Sequence, residues 1–346
     1  MAAALALGRR GQGRAWPNPA VGCVVVRDGR VVGRGRTADG GRPHAEAVAL
    51  EGVEARGATA YVTLEPCAHR GRGGPCADLL VAAGVARVVV ALGDPDPRTA
   101  GQGIARLREA GVEVVVGVRE GEAREDLAGY LMRLAEGRPF VTLKLAASLD
   151  GRIATAGGES RWVTGEGARR VVHGLRARAD AVMVGGGTAR ADDPSLDVRG
   201  FGGRPQPVRV VLSRGLDLPR GGRLALTARE RPLWLVHGPG ADAAPWEALG
   251  ARCLGADGTL GGALRALGGA GITRALCEGG GEVAAGLLRE GLADEVVTMG
   301  AGLLLGAEGR PMVGALGVAR LAEAPRFRLR SLREVGGDVV ATWRPR

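Results

Sequence analysis

Apolar positions along the chain come in short runs whose period switches between two and about 3.6, the signature of strands alternating with amphipathic helices. Residues 21–26 and 30–35 flank Asp28-Gly29, a dipeptide that favours a tight two-residue hairpin. A helical pattern over 45–56 leads into a predicted strand at 59–64. A second helix covers 76–83 and stops at Gly84, where glycine suits a helix C-cap. Strands are predicted at 87–92 and 112–116, with a short helix at 103–110 between them, and 122–136 reads as a closing helix. This alternation predicts a sheet with helices on its faces.

Gly137-Arg138-Pro139 breaks the closing helix and starts a second unit. A strand is predicted at 141–146 and an amphipathic helix at 165–178. Further strands are expected at 181–184, 208–212, 233–237, 275–277 and 295–300, with a helix after Gly280. The Gly/Ala-rich stretch 238–271 yields only a helix near 260–267. A length of 346 residues suits two domains better than one core, and the boundary is expected at 137/138. No apolar run approaches the ~20 residues of a membrane span, and residues 1–10 lack the basic start of a signal peptide, so a cytoplasmic protein is expected.

Composition narrows the partners. Net charge is +10, carried almost wholly by arginine, and Lys144 is the sole lysine. A basic surface attracts phosphate in any form. Aromatic residues make up only 3%, too few for stacking on unpaired bases, so a phosphorylated small molecule is expected rather than nucleic acid. Five cysteines, sparse and odd in number, argue for free thiols. Sixty-one glycines make glycine clusters uninformative by themselves, including Gly185-Gly186-Gly187 and Gly279-Gly280-Gly281.

The chemistry-bearing residues are His44-Ala45-Glu46, Glu65-Pro66-Cys67 and Pro75-Cys76. One imidazole and two thiolates, His44, Cys67 and Cys76, make three zinc ligands and leave the fourth position open, as a catalytic site requires. Zinc brings the pKa of a bound water toward about 7. Glu46 follows His44 at a helix start and is placed to take that water's proton and pass it to a leaving amino group. This is the H-x-E…P-C…C pattern of zinc deaminases. Cys76 sits at a predicted helix start, and a second helix start is expected near Cys67; both would favour the thiolate. Eight residues separate the cysteines, and the loop carries His69, Arg70 and Arg72. His69 offers a fourth donor that would close the site into a structural zinc knuckle; Glu46 at the deaminase spacing favours the open one.

The chain as a whole resembles the bifunctional riboflavin-biosynthesis deaminase–reductases. The resemblance rests on Pro17-Asn18-Pro19-Ala20-Val21-Gly22, the zinc motifs, Leu143-Lys144, Ser148-Leu149-Asp150-Gly151-Arg152, Ser160-Arg161-Trp162, the segment 175–194 and Glu278-Gly279-Gly280, in that order. It implies an α/β chain with a three-layer cytidine-deaminase-like domain followed by a dihydrofolate-reductase-like domain. The first would remove the 2-amino group of a diaminopyrimidinone carrying ribose 5-phosphate, with one zinc per chain; the second would reduce the ribosyl to a ribityl chain with NADPH. By matching position, Asn18 would recognise the ring and Arg72 the phosphate. Ala146, Trp162, Thr188, Asp192, Ser213, Gly280, Gly281, Glu282, Val283, Ala284, Ala285 and Gly286 would line the cofactor. Ser160, Arg176, Leu196, Arg199 and Glu278 would contact substrate. Asp192 and Lys144 both stand near the right motifs for a proton donor, and the sequence does not choose between them.

Departures from the family pattern cluster around the deaminase pocket. Thr37 stands where a histidine is usual, Ala15-Trp16 replaces a threonine-containing segment, and Gly73-Gly74 precedes Pro75-Cys76 where Thr-Pro is usual. None is a metal ligand. They motivate an alternative, the same architecture with an altered or lost deaminase substrate. The +10 charge motivates another, a nucleic-acid-binding zinc deaminase. Exchange of an intermediate between two sites would also suit a homo-oligomer.

Overall fold

The computed structural model describes residues 1–70 and 73–346. It divides into two compact units, Met1–Gly137 and Arg138–Arg346.

In the first unit the chain runs α1 (Ala2–Arg9), β1 (Gly22–Arg27), β2 (Arg30–Arg36), α2 (Ala45–Leu50), β3 (Thr59–Val62), α3 (Cys76–Ala82), β4 (Arg87–Val90), α4 (Gln102–Glu109), β5 (Glu113–Val116), α5 (Glu120–Asp126) and α6 (Ala128–Glu136). Among the described residues the sheet order is β2-β1-β3-β4-β5. β1 is antiparallel to both neighbours, and β3, β4 and β5 run parallel. Asp28 and Gly29 make the hairpin turn at φ 51° and 73°.

Glycines let helices lie directly on the sheet. A Cβ at Gly22 would stand 1.9 Å from the Ala4 carbonyl of α1, and one at Gly33 or Gly35 would meet the Ala49 or Ala45 carbonyl of α2 at 2.0 or 2.2 Å. Gly22 alternates along β1 with Cys23, which pairs with Gly35, so α1 and α2 cover opposite faces and the unit has three layers. Leu5, Val25, Val62, Leu80, Val88 and Leu107 belong to its buried core.

Two expected helices need correction. The helix expected over 45–56 ends at Leu50, because Gly52 takes φ 66° and turns the chain toward β3. The one expected over 122–136 is two helices, broken where Leu127 leaves helical geometry (ψ 7°) with its side chain only 3% exposed in the core. The Ala/Leu stretch at the start is helix α1.

The second unit runs β6 (Phe140–Ser148), β7 (Arg152–Ala154), α7 (Glu166–Arg176), β8 (Ala181–Gly185), α8 (Gly186–Asp192), β9 (Val208–Leu212), α9 (Arg223–Leu226), β10 (Leu233–His237), α10 (Ala244–Ala248), β11 (Arg252–Gly255), α11 (Leu260–Gly269), β12 (Arg274–Cys277), α12 (Gly281–Arg289), β13 (Glu295–Ala301), β14 (Arg310–Pro311), β15 (Phe327–Val335) and β16 (Asp338–Pro345). Among the described residues its main sheet is ordered β11-β10-β9-β8-β12-β6-β13-β16-β15. The strands from β11 to β13 are parallel; β16 and β15 add an antiparallel edge. After β8 the chain steps outward through β9, β10 and β11. It then returns as β12 beside β8 and leaves on the other side toward β13. The neighbouring ends of β8 and β12 are therefore a switch point, where open α/β sheets bind ligands.

The terminal hairpin β15–β16 lies outside the predicted strands, although Arg/Leu alternation and Gly336-Gly337 mark it. Its first strand is exposed along nearly its whole length and has no apolar run. The stretch 238–271 also holds α10 and β11, both too short to show a period. No helix among the described residues is long and apolar enough to cross a membrane.

Candidate active sites

In the first unit, α2 and α3 bring three ligand-type side chains together. His44 is the N-cap of α2, Cys76 opens α3, and Cys67 lies in the loop after β3. His44 Nδ1 is 3.3 Å from Cys76 Sγ and 3.6 Å from Cys67 Sγ, and all three donor atoms lie within 4.8 Å of one another. Cys67 is not at a helix start as expected. Instead its sulfur accepts the Cys76 backbone N–H at 3.3 Å, so the first N–H of α3 serves the other cysteine.

The electrostatics fit a cation. A hydrogen bond from Cys76 pulls the Cys67 thiol down to about 4, against burial. The same neighbour, then burial, pushes Cys76 up. Two thiolates this close repel, and a divalent ion between them and the imidazole removes the conflict. One nitrogen and two sulfurs are a zinc donor set. Glu46, 3% exposed, is pushed up to about 7 by burial, against the pull of its own backbone N–H and of His44.

Glu65 stands in the Glu65-Pro66-Cys67 motif without a role that the sequence assigns, and it fixes the loop carrying Cys67. Its buried carboxylate accepts N–H groups of Asp94 and Gly101 on Oε2 (both 3.1 Å) and of Gly103 and Ile104 on Oε1 (3.0 and 3.2 Å). The only local signal is an acid beside a ligand with no basic neighbour.

His44, Glu46 and Cys67 open onto a cavity of about 150 Å³ that Asn18, Thr37, Arg42, His69, Asp96 and Arg98 also line. Asn18 donates its amide N–H to the Gly41 carbonyl at 2.7 Å. Thr37 spends its hydroxyl on the loop, donating to Pro19 O at 2.9 Å and accepting the Val21 N–H at 3.0 Å. Gly73 and Gly74 are exposed, with open space where side chains would stand. Arg72 lies outside the described residues.

In the second unit the switch point opens into a cavity of about 440 Å³. Its lining includes Gly185, Gly186, Gly187, Ser213, Glu282, Val283 and Gly286 from the β8, β9 and α12 ends. The chain bends sharply before α12, with Gly279 at φ 102° and Gly280 at φ 94°, a conformation L side chains resist. Gly281 opens the helix, and Thr188 donates to the Gly279 carbonyl at 3.3 Å. Ala284 and Ala285 face inward, fully buried. Ala146 is half-buried on β6, and Asp192 ends α8 exposed. Trp162, 69% exposed, stacks under the Arg169 guanidinium at 4.5 Å. This glycine-rimmed cavity at a switch point suits a dinucleotide.

Arg176 and Glu278 form a buried two-bonded pair. Nε donates to Oε1 and Nη2 to Oε2 (2.9 Å), while Nη1 donates to the Asp197 carbonyl at 2.7 Å. Lys144 Nζ stands 3.8 Å from Glu278 Oε2. Burial would raise the Glu278 carboxyl, but Arg176 and then Lys144 hold it below the usual carboxylate value. Arg199 is exposed, its guanidinium 3.6 Å from Asp197 and its N–H donated to His173 Nδ1 at 3.2 Å. Leu196 packs its side chain into the core at φ 54°. Ser160 is exposed on the loop before α7. Missing from the sequence-derived set is His173, one turn before Arg176 on the same helix face.

These two sites define the class: a zinc-dependent deaminase unit followed by a nucleotide-dependent reductase unit. Residues 1–92 match the family model of the cytidine and deoxycytidylate deaminase zinc-binding region, and residues 139–341 that of the RibD C-terminal domain. The riboflavin biosynthesis protein RibD of Escherichia coli K12 is 41% identical over 356 residues, covering 98% of this chain and 96% of that one. A solved structure of Acinetobacter baumannii RibD is 39% identical with a TM-score of 0.91, covering 100% of this chain and 97% of that one. A Thermotoga maritima diaminohydroxyphosphoribosylaminopyrimidine deaminase/5-amino-6-(5-phosphoribosylamino)uracil reductase is 34% identical with a TM-score of 0.89 and covers the same shares. The chain belongs to the RibD family, the bifunctional deaminase–reductases of riboflavin biosynthesis, which use zinc and NADPH.

Proposed function

We propose that the first unit hydrolyses the 2-amino group of 2,5-diamino-6-ribosylamino-4(3H)-pyrimidinone 5′-phosphate, and that the second reduces the ribosyl group of the product to ribityl. The observation that carries this is the cluster of His44, Cys67 and Cys76, of which His44 and Cys67 share one cavity with the buried Glu46. When bound, zinc supplies a water acidic enough to ionise near neutral pH. His44, Cys67 and Cys76 hold the ion. Glu46, buried on the same cavity as His44 and Cys67, accepts the proton from the attacking water and delivers it to the departing amino nitrogen. Asn18, anchored on Gly41, turns the rest of its amide to the ring.

In the second unit NADPH supplies the hydride. Ser213, Glu282, Val283 and Gly286 line its cavity, and Thr188 holds the Gly279-Gly280 turn that leads into it; Ala146, Trp162, Asp192, Gly280, Gly281, Ala284 and Ala285 are assigned to the cofactor by family resemblance alone. Glu278, fixed by Arg176, presents a carboxylate to the sugar hydroxyls beside Lys144. Arg199, exposed and only loosely paired, is the cation available to the substrate phosphate. The test is ammonia release from the phosphorylated diaminopyrimidinone by zinc-replete protein without NADPH. Release that vanishes in Glu46→Gln, while NADPH-dependent reduction of the deaminated product persists, supports the reading; no release from protein carrying one zinc per chain overturns it.

A further inference from the structure

The deaminase cavity is lined by several charged side chains, and most are already committed. Glu65 is filled by four backbone N–H groups. Asp94 accepts the Tyr130 hydroxyl at 2.9 Å and the Asp96 N–H at 3.0 Å. Arg98 grips Asp96, with Nε 3.0 Å from Oδ1. Arg133 is also engaged. Outside the cavity wall, Arg14 and Arg36 share Asp39. Arg42 differs. It is half-buried on the same wall as His44, Glu46 and Cys67, and among the described residues its guanidinium has no hydrogen bond or ion pair.

A guanidinium held partly out of water beside a reaction centre, with its fork empty, is placed to receive an anion, and a phosphate monoester matches that fork with two parallel bonds. Thr37, nearby on the wall, cannot do so, because its hydroxyl is spent on Pro19 and Val21. We infer that Arg42 binds the phosphate of the deaminase substrate and is this chain's determinant of preference for phosphorylated over unphosphorylated pyrimidine. This rests on the reading of the first unit as a deaminase of a phosphorylated substrate.

The experiment compares kcat/KM for ammonia release from the phosphorylated diaminopyrimidinone and from the same compound lacking its phosphate, in wild type, Arg42→Ala, Arg42→Lys and Arg72→Ala. Zinc content and NADPH-dependent reduction report on folding. Arg42→Ala is expected to lower kcat/KM for the phosphorylated compound roughly 10- to 100-fold, mainly through KM. The unphosphorylated compound should change by less than about threefold, with Arg42→Lys recovering part of the loss. Three results would overturn the inference: equal losses on both compounds, loss of zinc together with activity, or a discrimination that survives in Arg42→Ala and collapses only in Arg72→Ala. A wild type that releases no ammonia at all would instead remove the proposed function beneath it.

Discussion

The deaminase pocket and the reductase cavity differ in where their chemistry resides. In the first, the reacting groups are the protein's own. Three metal donors lie within 4.8 Å of one another, and a buried carboxyl shares with His44 and Cys67 a cavity of about 150 Å³. In the second, a cavity nearly three times larger is rimmed by glycine backbone and small side chains, and the reactive group belongs to the cofactor. A site that makes its own acid and base depends steeply on single atoms; a site that seats a cofactor spreads its dependence over many contacts. Substitutions in the two units should therefore fall off differently.

The steepest effect belongs to Glu46→Gln. The amide keeps the shape but cannot carry the proton, so deamination should fall by roughly 10²–10⁴-fold. Zinc content should stay at one per chain and NADPH oxidation with deaminated substrate should be unchanged. Loss of both activities together would break the contrast between the two units.

Next comes Glu278→Gln in the reductase. Glu278 and Arg176 are both buried, with side chains 9% and 12% exposed, so removing the carboxylate charge leaves the guanidinium without its two-bonded partner and with the Asp197 carbonyl beside it. Breaking such a pair costs about 3–5 kcal/mol. Denaturant unfolding followed by tryptophan fluorescence should show it in the second unit, since Trp162, Trp234, Trp246 and Trp343 all lie there. The pH dependence has a definite sign. The Glu278 carboxyl is held below its ordinary 4.5, so its stabilisation is complete above that value and is lost as pH falls through the lowered one. The Gln variant should lack that part of the acid loss.

How much of each site is readable in sequence follows from the same contrast. His44, Glu46, Cys67 and Cys76 lie close along the chain, and metal geometry restricts their spacing, so the motif is visible before any fold is known. The role of Glu65, visible in the motif as a residue, is hidden because its partners are backbone N–H groups some 29 to 39 positions away. The Arg176–Glu278 pair spans 102 positions, and only the return of β12 beside β8 brings it together. Strand order is a non-local property that no local period records. Resemblance to a family supplied those residues; periodicity could not. Strand β15 escapes a periodicity reading for a simpler reason: it is exposed along nearly its whole length and carries no apolar run.

Gly103→Ala probes the hidden support of the zinc site. Its added Cβ would stand 1.9 Å from the Pro66 carbonyl, next to Cys67 and beneath the Glu65 carboxylate that Gly103 itself binds. Backbone cannot yield as a flexible side chain can, so α4 and the Cys67 loop must separate, at about 1–3 kcal/mol. Zinc affinity, read by competition with a chromogenic chelator, should drop by roughly tenfold or more. An unchanged affinity would mean that Cys67 is held without help from Glu65 and α4.

The smallest expected effect tests the other side of the comparison, the spreading of dependence around the cofactor. Thr259 caps α11 and lines the reductase cavity; its hydroxyl oxygen accepts the Gly262 N–H at 2.9 Å. Thr259→Ala leaves that N–H without its side-chain partner and should cost about 1 kcal/mol of stability. NADPH seated in this cavity would meet many other lining groups, so its affinity by titration calorimetry should weaken by no more than about fivefold, with deamination untouched. A loss approaching that of Glu46→Gln would mean that this cavity, too, hangs on a single residue.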